Sequence, residues 1–271
     1  MKINNLRLVE IELFSYCNRK CIWCPNHTID RYSETKHIDD DILKNLIHSL
    51  KNINYSGYIT FSRYNEPLAY VNILNQVCEY LKQELPNCTL VTNTNGDYLN
   101  ANIISQLYID ELSIMDYDNK GTDYCLNRLK TWNCIIDEIN NNFIYAHYNN
   151  MKILYYTNWK DNYTPGNRGG YLPIEEPVRS YPCTEPLYFI GINYDGTVSP
   201  CCNIRNDISS HKSFILGDLH EQRLEEIINS SKRAEIIDYC TKANFGPDSP
   251  CYKCSNKGGR YTRENGGIRY E

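Results

Sequence analysis

The sequence predicts an α/β fold: a partial (β/α)6 barrel of parallel strands, followed by a smaller unit of different make-up. Three observations lead there. Strand-like and helix-like segments alternate through roughly the first 160 residues, the pattern of repeated βα units and a parallel sheet. The loops after the first three strands, rich in Cys, Asn and charge, would gather at one mouth, because ligand sites in such sheets form at the C-terminal strand ends. Beyond about residue 160 the alternation stops, and a Gly-, Pro- and Asn-rich connection leads to a hairpin, a helical stretch and a final cysteine pair. The division expected is 1–165 for the barrel and 166–271 for the second unit.

LRLVEIELF, residues 6–14, alternates apolar and polar positions and reads as the first strand, ending at a cysteine loop. DDDILKNLIHSLKNI (39–53) places Ile42, Leu43, Leu46, Ile47 and Leu50 on one helical face, with acidic residues favouring its N-terminus. GYITFS (57–62) reads as a strand and VNILNQVCEYLKQEL (71–85) as a helix stopped by Pro86. CTLVTNT (88–94) is a strand ended by Asn95-Gly96, YLNANIISQLY (98–108) a helix, ELSIM (111–115) a strand, DYCLNRLKTW (123–132) a helix and KILYYT (152–157) a strand. In the second unit, LYFIGINYDGTVSPC (187–201) reads as a hairpin turning at Asp195-Gly196, and LEEIINSSKRAEIIDYC (224–240) as a helix.

Composition narrows the function. Of 271 residues 41% are hydrophobic and 23% charged, enough for a sizeable core. A net charge of −5 with no long basic run argues against nucleic acid as a partner, since phosphate binding needs a cationic face. Arg7, Glu10 and Glu12 interrupt the apolar residues near the start, so no signal-peptide core is present. No stretch approaches the roughly 18 to 20 apolar residues of a membrane helix. The expectation is a cytoplasmic protein, whose 13 cysteines then serve as metal ligands, catalytic groups or small core residues rather than disulfides.

CNRKCIWC sets Cys17, Cys21 and Cys24 in eight residues with no nearby fourth ligand before His27. Three thiolates suit a cubane iron–sulfur cluster with one iron left open to a ligand; a zinc knuckle borrowing His27 or a distant cysteine is the plainer alternative. Cys183, Cys201, Cys251 and Cys254 make a four-thiolate set that suits a fully ligated cluster or a zinc ribbon. Cys78, Cys88, Cys125 and Cys134 read as core residues.

Cys17-x3-Cys21-x2-Cys24, with Trp23 before the last cysteine, resembles the signature of the radical S-adenosylmethionine (SAM) enzymes. YNEP (64–67) is similar to that family's GGEP motif, keeping Glu66 and Pro67 while replacing both glycines, and TNGD (94–97) is similar to the turn near bound SAM. The C-terminal cysteine spacing resembles the auxiliary-cluster domains called SPASM and twitch. The resemblance implies a TIM-like partial barrel with a twitch-type auxiliary domain, two [4Fe–4S] clusters, and SAM on the open iron. It places Trp23, Tyr64, Asn65, Glu66 and Asn95 at the cofactor. It also implies a SAM-derived radical that takes hydrogen from a C–H bond of a small sugar or aminocyclitol, or of a peptide.

Two outcomes follow from that radical. A dehydrogenase oxidises the carbinol and passes an electron to the auxiliary cluster; an epimerase returns hydrogen from a cysteine thiol, for which Cys202 and Cys240 are the candidates. A peptide maturase is a third reading, disfavoured by the few residues before Leu6, which leave no room for a leader-recognition domain. Arg168, in NRGG, is the candidate for orienting substrate through its planar guanidinium. A flavodoxin- or ferredoxin-type protein is the expected electron donor.

Overall fold

The computed structural model describes residues 5–162 and 166–256, and every residue of its first strand, β1 (Leu8–Ile11), is buried. β1 lies between two parallel neighbours, β2 (Tyr58–Thr60) and β8 (Phe189–Ile192). Ten strands form one sheet in the order β10-β9-β8-β1-β2-β3-β4-β7-β6-β5. Its central six, β8, β1, β2, β3 (Thr89–Thr94), β4 (Glu111–Met115) and β7 (Met151–Tyr156), all run parallel. They form the partial six-stranded barrel.

The intervening helices are α1 (Asp40–Asn52), α2 (Val71–Glu84), α3 (Ala101–Gln106) and α4 (Thr122–Thr131). Asp39 caps α1 by accepting from the Asp41 backbone N–H at 2.8 Å, and Asn100 caps α3 from the Ile103 N–H at 3.0 Å. The buried face of α1 is Ile42, Leu46, Ile47 and Leu50, and it packs with α2 over the sheet. Cys78, Cys88, Cys125 and Cys134 all lie in the apolar core.

Between α4 and β7 the chain forms an antiparallel meander, β5 (Ile135–Ile139) and β6 (Phe143–Tyr148), that is not apparent from hydrophobic pattern alone. β5 is an edge strand whose Ile135 and Ile139 are exposed, so its alternation has no buried face to report. After the short α5 (Trp159–Asn162) and α6 (Glu185–Tyr188), β8 turns through Asn193–Gly196 into β9 (Thr197–Ser199), and β10 (Gly217–Asp218) extends the edge. Asp195 accepts from the Thr197 N–H and hydroxyl, and Gly196 takes a φ of +81° that favours glycine. The single helix expected over 224–240 is two, α7 (Leu224–Ile228) and α8 (Ser231–Lys242), because Ser230 breaks the run to cap α8.

The sheet thus continues through the expected boundary at residue 165, since β8 adds directly to β1. Residues 163–165, within the polar connection, lie outside the described residues. Among the described residues no helix is long and apolar enough to cross a membrane.

Leu50 is fully buried on α1. Leu50→Ala is expected to lower the unfolding free energy by about 2–5 kcal/mol, read as a shifted midpoint in chemical denaturation.

Candidate active site and cluster sites

The loop after β1 carries Cys17, Cys21 and Cys24, all partly buried and none in a disulfide. The Cys17 N–H donates to the Arg31 carbonyl at 3.0 Å and the Cys24 N–H to the Cys21 carbonyl at 2.9 Å, which folds the loop back on itself. Burial pushes the Cys17 thiol up to about 12 and the Cys21 thiol up to about 11, and each is raised further by its neighbouring thiols. Three mutually repelling sulfurs in one partly dry loop fit a cationic centre that would hold them as thiolates. His27, the alternative fourth ligand, is exposed, with Nδ1 3.3 Å from the Lys20 carbonyl.

Arg19 locks this loop to two others. It makes a two-pronged contact with Asp97, its Nε 2.7 Å from Oδ2, and reaches Asp118 with Nη1 at 2.9 Å. Asn18 donates to Asp97 as well, at 2.7 Å. The loops after β1, β3 and β4 are therefore fastened together at the mouth. Trp23 packs into an aromatic group with Trp159 at 4.8 Å and Tyr117 at 5.8 Å between ring centroids.

The YNEP and TNGD loops meet beside the cysteines. The buried Glu66 carboxylate accepts from the Thr94 hydroxyl at 2.6 Å, the Asn95 N–H at 2.9 Å and the Leu68 N–H at 3.1 Å. Burial still outweighs those bonds and pushes its carboxyl up to about 7. Asn65 accepts from the Arg63 N–H, while its buried Nδ2 has no hydrogen-bond partner among the described residues. A carboxylate short of a cation and an amide short of an acceptor, side by side, fit the amino-acid end of a ligand such as SAM. Asn95 donates to Asn18 at 2.8 Å, tying this turn to the cysteine loop. The hydroxyl of Tyr64 points elsewhere, donating to the Cys202 carbonyl at 2.6 Å.

Cys183, Cys201, Cys251 and Cys254 line one small cavity together with Cys240. Burial pushes the Cys201 thiol up, and the Cys202, Cys251, Cys183 and Cys254 sulfurs push it further. Among the described residues no three or more His, Cys, Asp or Glu converge as a single metal ion requires. Four thiols gathered around one cavity are a donor set of the kind that holds a cubane cluster. Buried Arg179 closes the site: its N–H donates to the Tyr252 carbonyl at 2.8 Å, Nε to the Tyr181 carbonyl, and Nη1 to the Asn256 carbonyl. The Cys183 N–H donates to the Cys240 carbonyl at 2.9 Å.

NRGG bridges the two sites. Asn167 bonds to the Lys253 carbonyl and the Ser255 hydroxyl, at the CYKC loop. Arg168, Gly169 and Gly170 all have positive φ, and a side chain at Gly169 would crowd His211 and the Asn203 carbonyl. Burial holds the His211 imidazole down at about 4, so it is neutral, its Nε2 donating to the Gly169 carbonyl at 3.2 Å. Arg168 reaches Asn203 at 3.5 Å, and Asn203 donates to Cys254 Sγ at 3.6 Å. Cys202 stands between, its sulfur 4.0 Å from Asn203 Oδ1, whereas Cys240 is buried at the cluster cavity beside Cys251.

The barrel interior holds polar residues that motif reasoning passes over. Glu10 and Glu12, two apart in the strand segment that begins with β1, pair with Arg63 at 2.7 Å and Arg31 at 3.2 Å. Arg205 stacks on Tyr64 at 4.1 Å and pairs with Asp207. Alternation of apolar and polar positions in residues 6–14 gives no sign that Glu10 and Glu12 would be buried, and only the fold covers them.

Fold and site together define a partial six-stranded barrel whose C-terminal segment gathers four cysteines around one cavity. Residues 183–255 match the SPASM iron–sulfur cluster-binding domain. The chain is 24% identical over 257 residues, 92% of its own length and of the relative's, to the S-adenosyl-L-methionine-dependent 2-deoxy-scyllo-inosamine dehydrogenase of Niallia circulans. Its fold matches the crystal structure of BtrN in complex with AdoMet and 2-DOIA with a TM-score of 0.72 and 22% identity, covering 93% of this chain and 94% of that one. It also matches native anSMEcpe with bound AdoMet, with a TM-score of 0.54, 13% identity and coverage of 87% and 84%.

Anaerobic reconstitution is expected to give about eight iron atoms per chain, from two sites of the cubane type. Replacing Cys17, Cys21 and Cys24 together by Ala should remove half of that iron, and Cys251→Ala with Cys254→Ala the other half, by iron and sulfide analysis. Stoichiometric zinc in the second site would contradict the assignment.

Proposed function

We propose that this chain is a radical SAM dehydrogenase that oxidises a ring alcohol of a small sugar or aminocyclitol, with the auxiliary cluster as electron acceptor. The observation that carries the reading is the linkage Arg168–Asn203–Cys254, which joins the barrel mouth to the second thiol set. Its likeness to a 2-deoxy-scyllo-inosamine dehydrogenase over most of both chains supports the same chemistry. Cys17, Cys21 and Cys24 would hold the cluster that binds SAM; Cys183, Cys201, Cys251 and Cys254 would hold the auxiliary one. Bound together, SAM and its cluster supply the 5′-deoxyadenosyl radical that removes the carbinol hydrogen.

The protein's share is binding, orientation and exclusion of water. Glu66, Asn65 and Asn95 receive the amino-acid end of SAM, and the aromatic group of Trp23 covers one side of the loop. Arg168 holds a substrate oxygen from the auxiliary-domain side; as a guanidinium it stays protonated and orients rather than accepts a proton. The electron needed at the first cluster comes from a flavodoxin- or ferredoxin-type donor in the cytoplasm, and the division of tasks between residues 1–165 and 166–271 is bridged by β8, which completes the barrel.

Epimerisation is the second reading, because Cys202 flanks Arg168's partner Asn203. The two readings separate in heavy water. Oxidation gives a ketone lighter by two hydrogens and free of solvent deuterium at the reacting carbon. An epimer that has gained one deuterium, with the gain lost in Cys202→Ala or Cys240→Ala, would overturn the dehydrogenase.

Glu66 gives a pH dependence. Its carboxyl in the folded chain sits at about 7 rather than 4.5, so it takes a proton as pH falls below neutrality and ceases to attract an ammonium group. SAM affinity is expected to fall up to about tenfold per pH unit below pH 7. Glu66→Gln should bind SAM weakly with no such slope, measured by equilibrium binding.

A further inference from the structure

The thiols of the auxiliary cavity differ in what reaches them from outside their own stretch of chain. Cys183 is hydrogen-bonded by the Glu185 backbone, and Cys251 by the Ser249 side chain and the Cys240 thiol. Cys254 receives the Asn256 backbone N–H and a second donor from far away in sequence. That donor is the side-chain amide of Asn203, whose Nδ2 lies 3.6 Å from Sγ across 51 positions. A link to a residue two positions along is made by the turn that carries the cysteine and is fixed with it. The Asn203 bond is made by the fold.

The other end of the same amide faces the barrel. Its Oδ1 accepts from Arg168 Nη1 at 3.5 Å, and the Arg168 guanidinium carbon stands 6.0 Å from the centroid of Tyr64 in YNEP. Asn203 is buried and lines the auxiliary cavity, whereas Arg168 is partly exposed. The Arg168 backbone is held at a φ of +52°, in the left-handed region, and the next residue is pinned through its carbonyl by His211. A residue kept in that conformation by fixed neighbours presents its side chain in one pose.

A hydrogen bond donated to a ligating sulfur stabilises the reduced, more negative form of an iron–sulfur cluster, and so raises its potential. A positive charge nearby acts in the same direction. An amide that accepts from a guanidinium at its oxygen is polarised, and donates more strongly from its nitrogen. Asn203 brings both effects to one sulfur: its own N–H and, through the amide, the charge of Arg168.

We propose that Asn203 sets the potential of the auxiliary cluster, raising it through the Cys254 sulfur, and that Arg168 strengthens the effect from the barrel side. The proposal rests on the two-cluster reading above and assigns Asn203 a role within it as a positioning residue. Arg168 then has two tasks, orienting substrate and poising the acceptor.

The test uses the reconstituted full-length enzyme carrying both clusters, in a reductive titration followed by electron paramagnetic resonance. The variant with Cys17, Cys21 and Cys24 replaced by Ala identifies the auxiliary signal. Asn203→Leu removes both ends of the amide. Asn203→Asp keeps an acceptor for Arg168 and replaces the donor to sulfur with a carboxylate. In both, the auxiliary midpoint is expected to shift to more negative potential, with iron and sulfide content unchanged and the first cluster's midpoint unmoved. Arg168→Gln, which leaves Asn203 and the four thiols in place, should shift the auxiliary midpoint in the same direction by less.

An auxiliary midpoint that stays or rises in the Asn203 variants would overturn the proposal, as would one that is unmoved in Arg168→Gln. If the Asn203 variants lose auxiliary iron, Arg168→Gln decides by itself: a negative shift supports the relay and an unmoved midpoint overturns it. Zinc in place of iron at the second site would overturn the two-cluster reading and this proposal with it, and metal analysis tells that result from an unmoved midpoint.

Discussion

β1 is the element on which everything else depends. It is hydrogen-bonded to β2 of the barrel on one side and to β8 of the SPASM segment on the other, and its C-terminal end feeds the three-cysteine loop. A strand paired on both edges and buried along its length cannot shift register without moving its whole side-chain set to the wrong face. The position of the three-cysteine loop and that of the segment carrying the second cysteine set are thereby set by one ladder. The two segments are joined by the hydrogen-bonded pairing of β1 with β8 within one sheet.

The same strand explains the buried charges. Glu10 and Glu12 project into the barrel from alternate positions, and an isolated buried carboxylate is costly. Arg63 and Arg31 offset them; even so, burial raises the Glu10 carboxyl to about 6. Arg63 also donates to Asn193, Ser199 and Ile204, all from the C-terminal segment. The polar network inside the barrel is therefore a second seam between the halves, beside the ladder. It is demanding in geometry, because each buried group needs its partner in place.

Much of this was legible in the residues before any coordinates. The βα alternation, the Asn95-Gly96 stop, the Asp195-Gly196 turn and the three-cysteine loop rest on short-range patterns that sequence carries directly. What was not legible is long-range pairing. Glu10 meets Arg63 from 53 positions away, Arg63 meets Ile204 from 141 and Arg19 meets Asp118 from 99. An arginine destined for burial has the same local context as one on the surface, and only the fold supplies its partner. The β5–β6 meander escaped for the opposite reason: its edge strand exposes the isoleucines that hydrophobic patterning expects to find covered. The break between α7 and α8 was visible in principle, as Ser230 followed by a helical run is a cap signal.

The two thiol sets differ in what the protein asks of them. Around the auxiliary cavity Cys183, Cys201, Cys251 and Cys254 come from three separate stretches, held by Arg179, Asn167 and the Cys183–Cys240 backbone bond. Burial and mutual repulsion raise these thiols, so at neutral pH they are protonated until a cationic cluster displaces the protons. A cluster held by these thiols would contribute folding energy and release protons together. The first set is different in kind, since all three cysteines lie within eight residues of one loop and need no tertiary convergence. What that loop does need is a fixed pose relative to Glu66 and Asn95, and the Arg19 contacts to Asp97 and Asp118, with the Asn18–Asn95 bond, supply it. One thiol set is assembled by the fold and the other is only aimed by it.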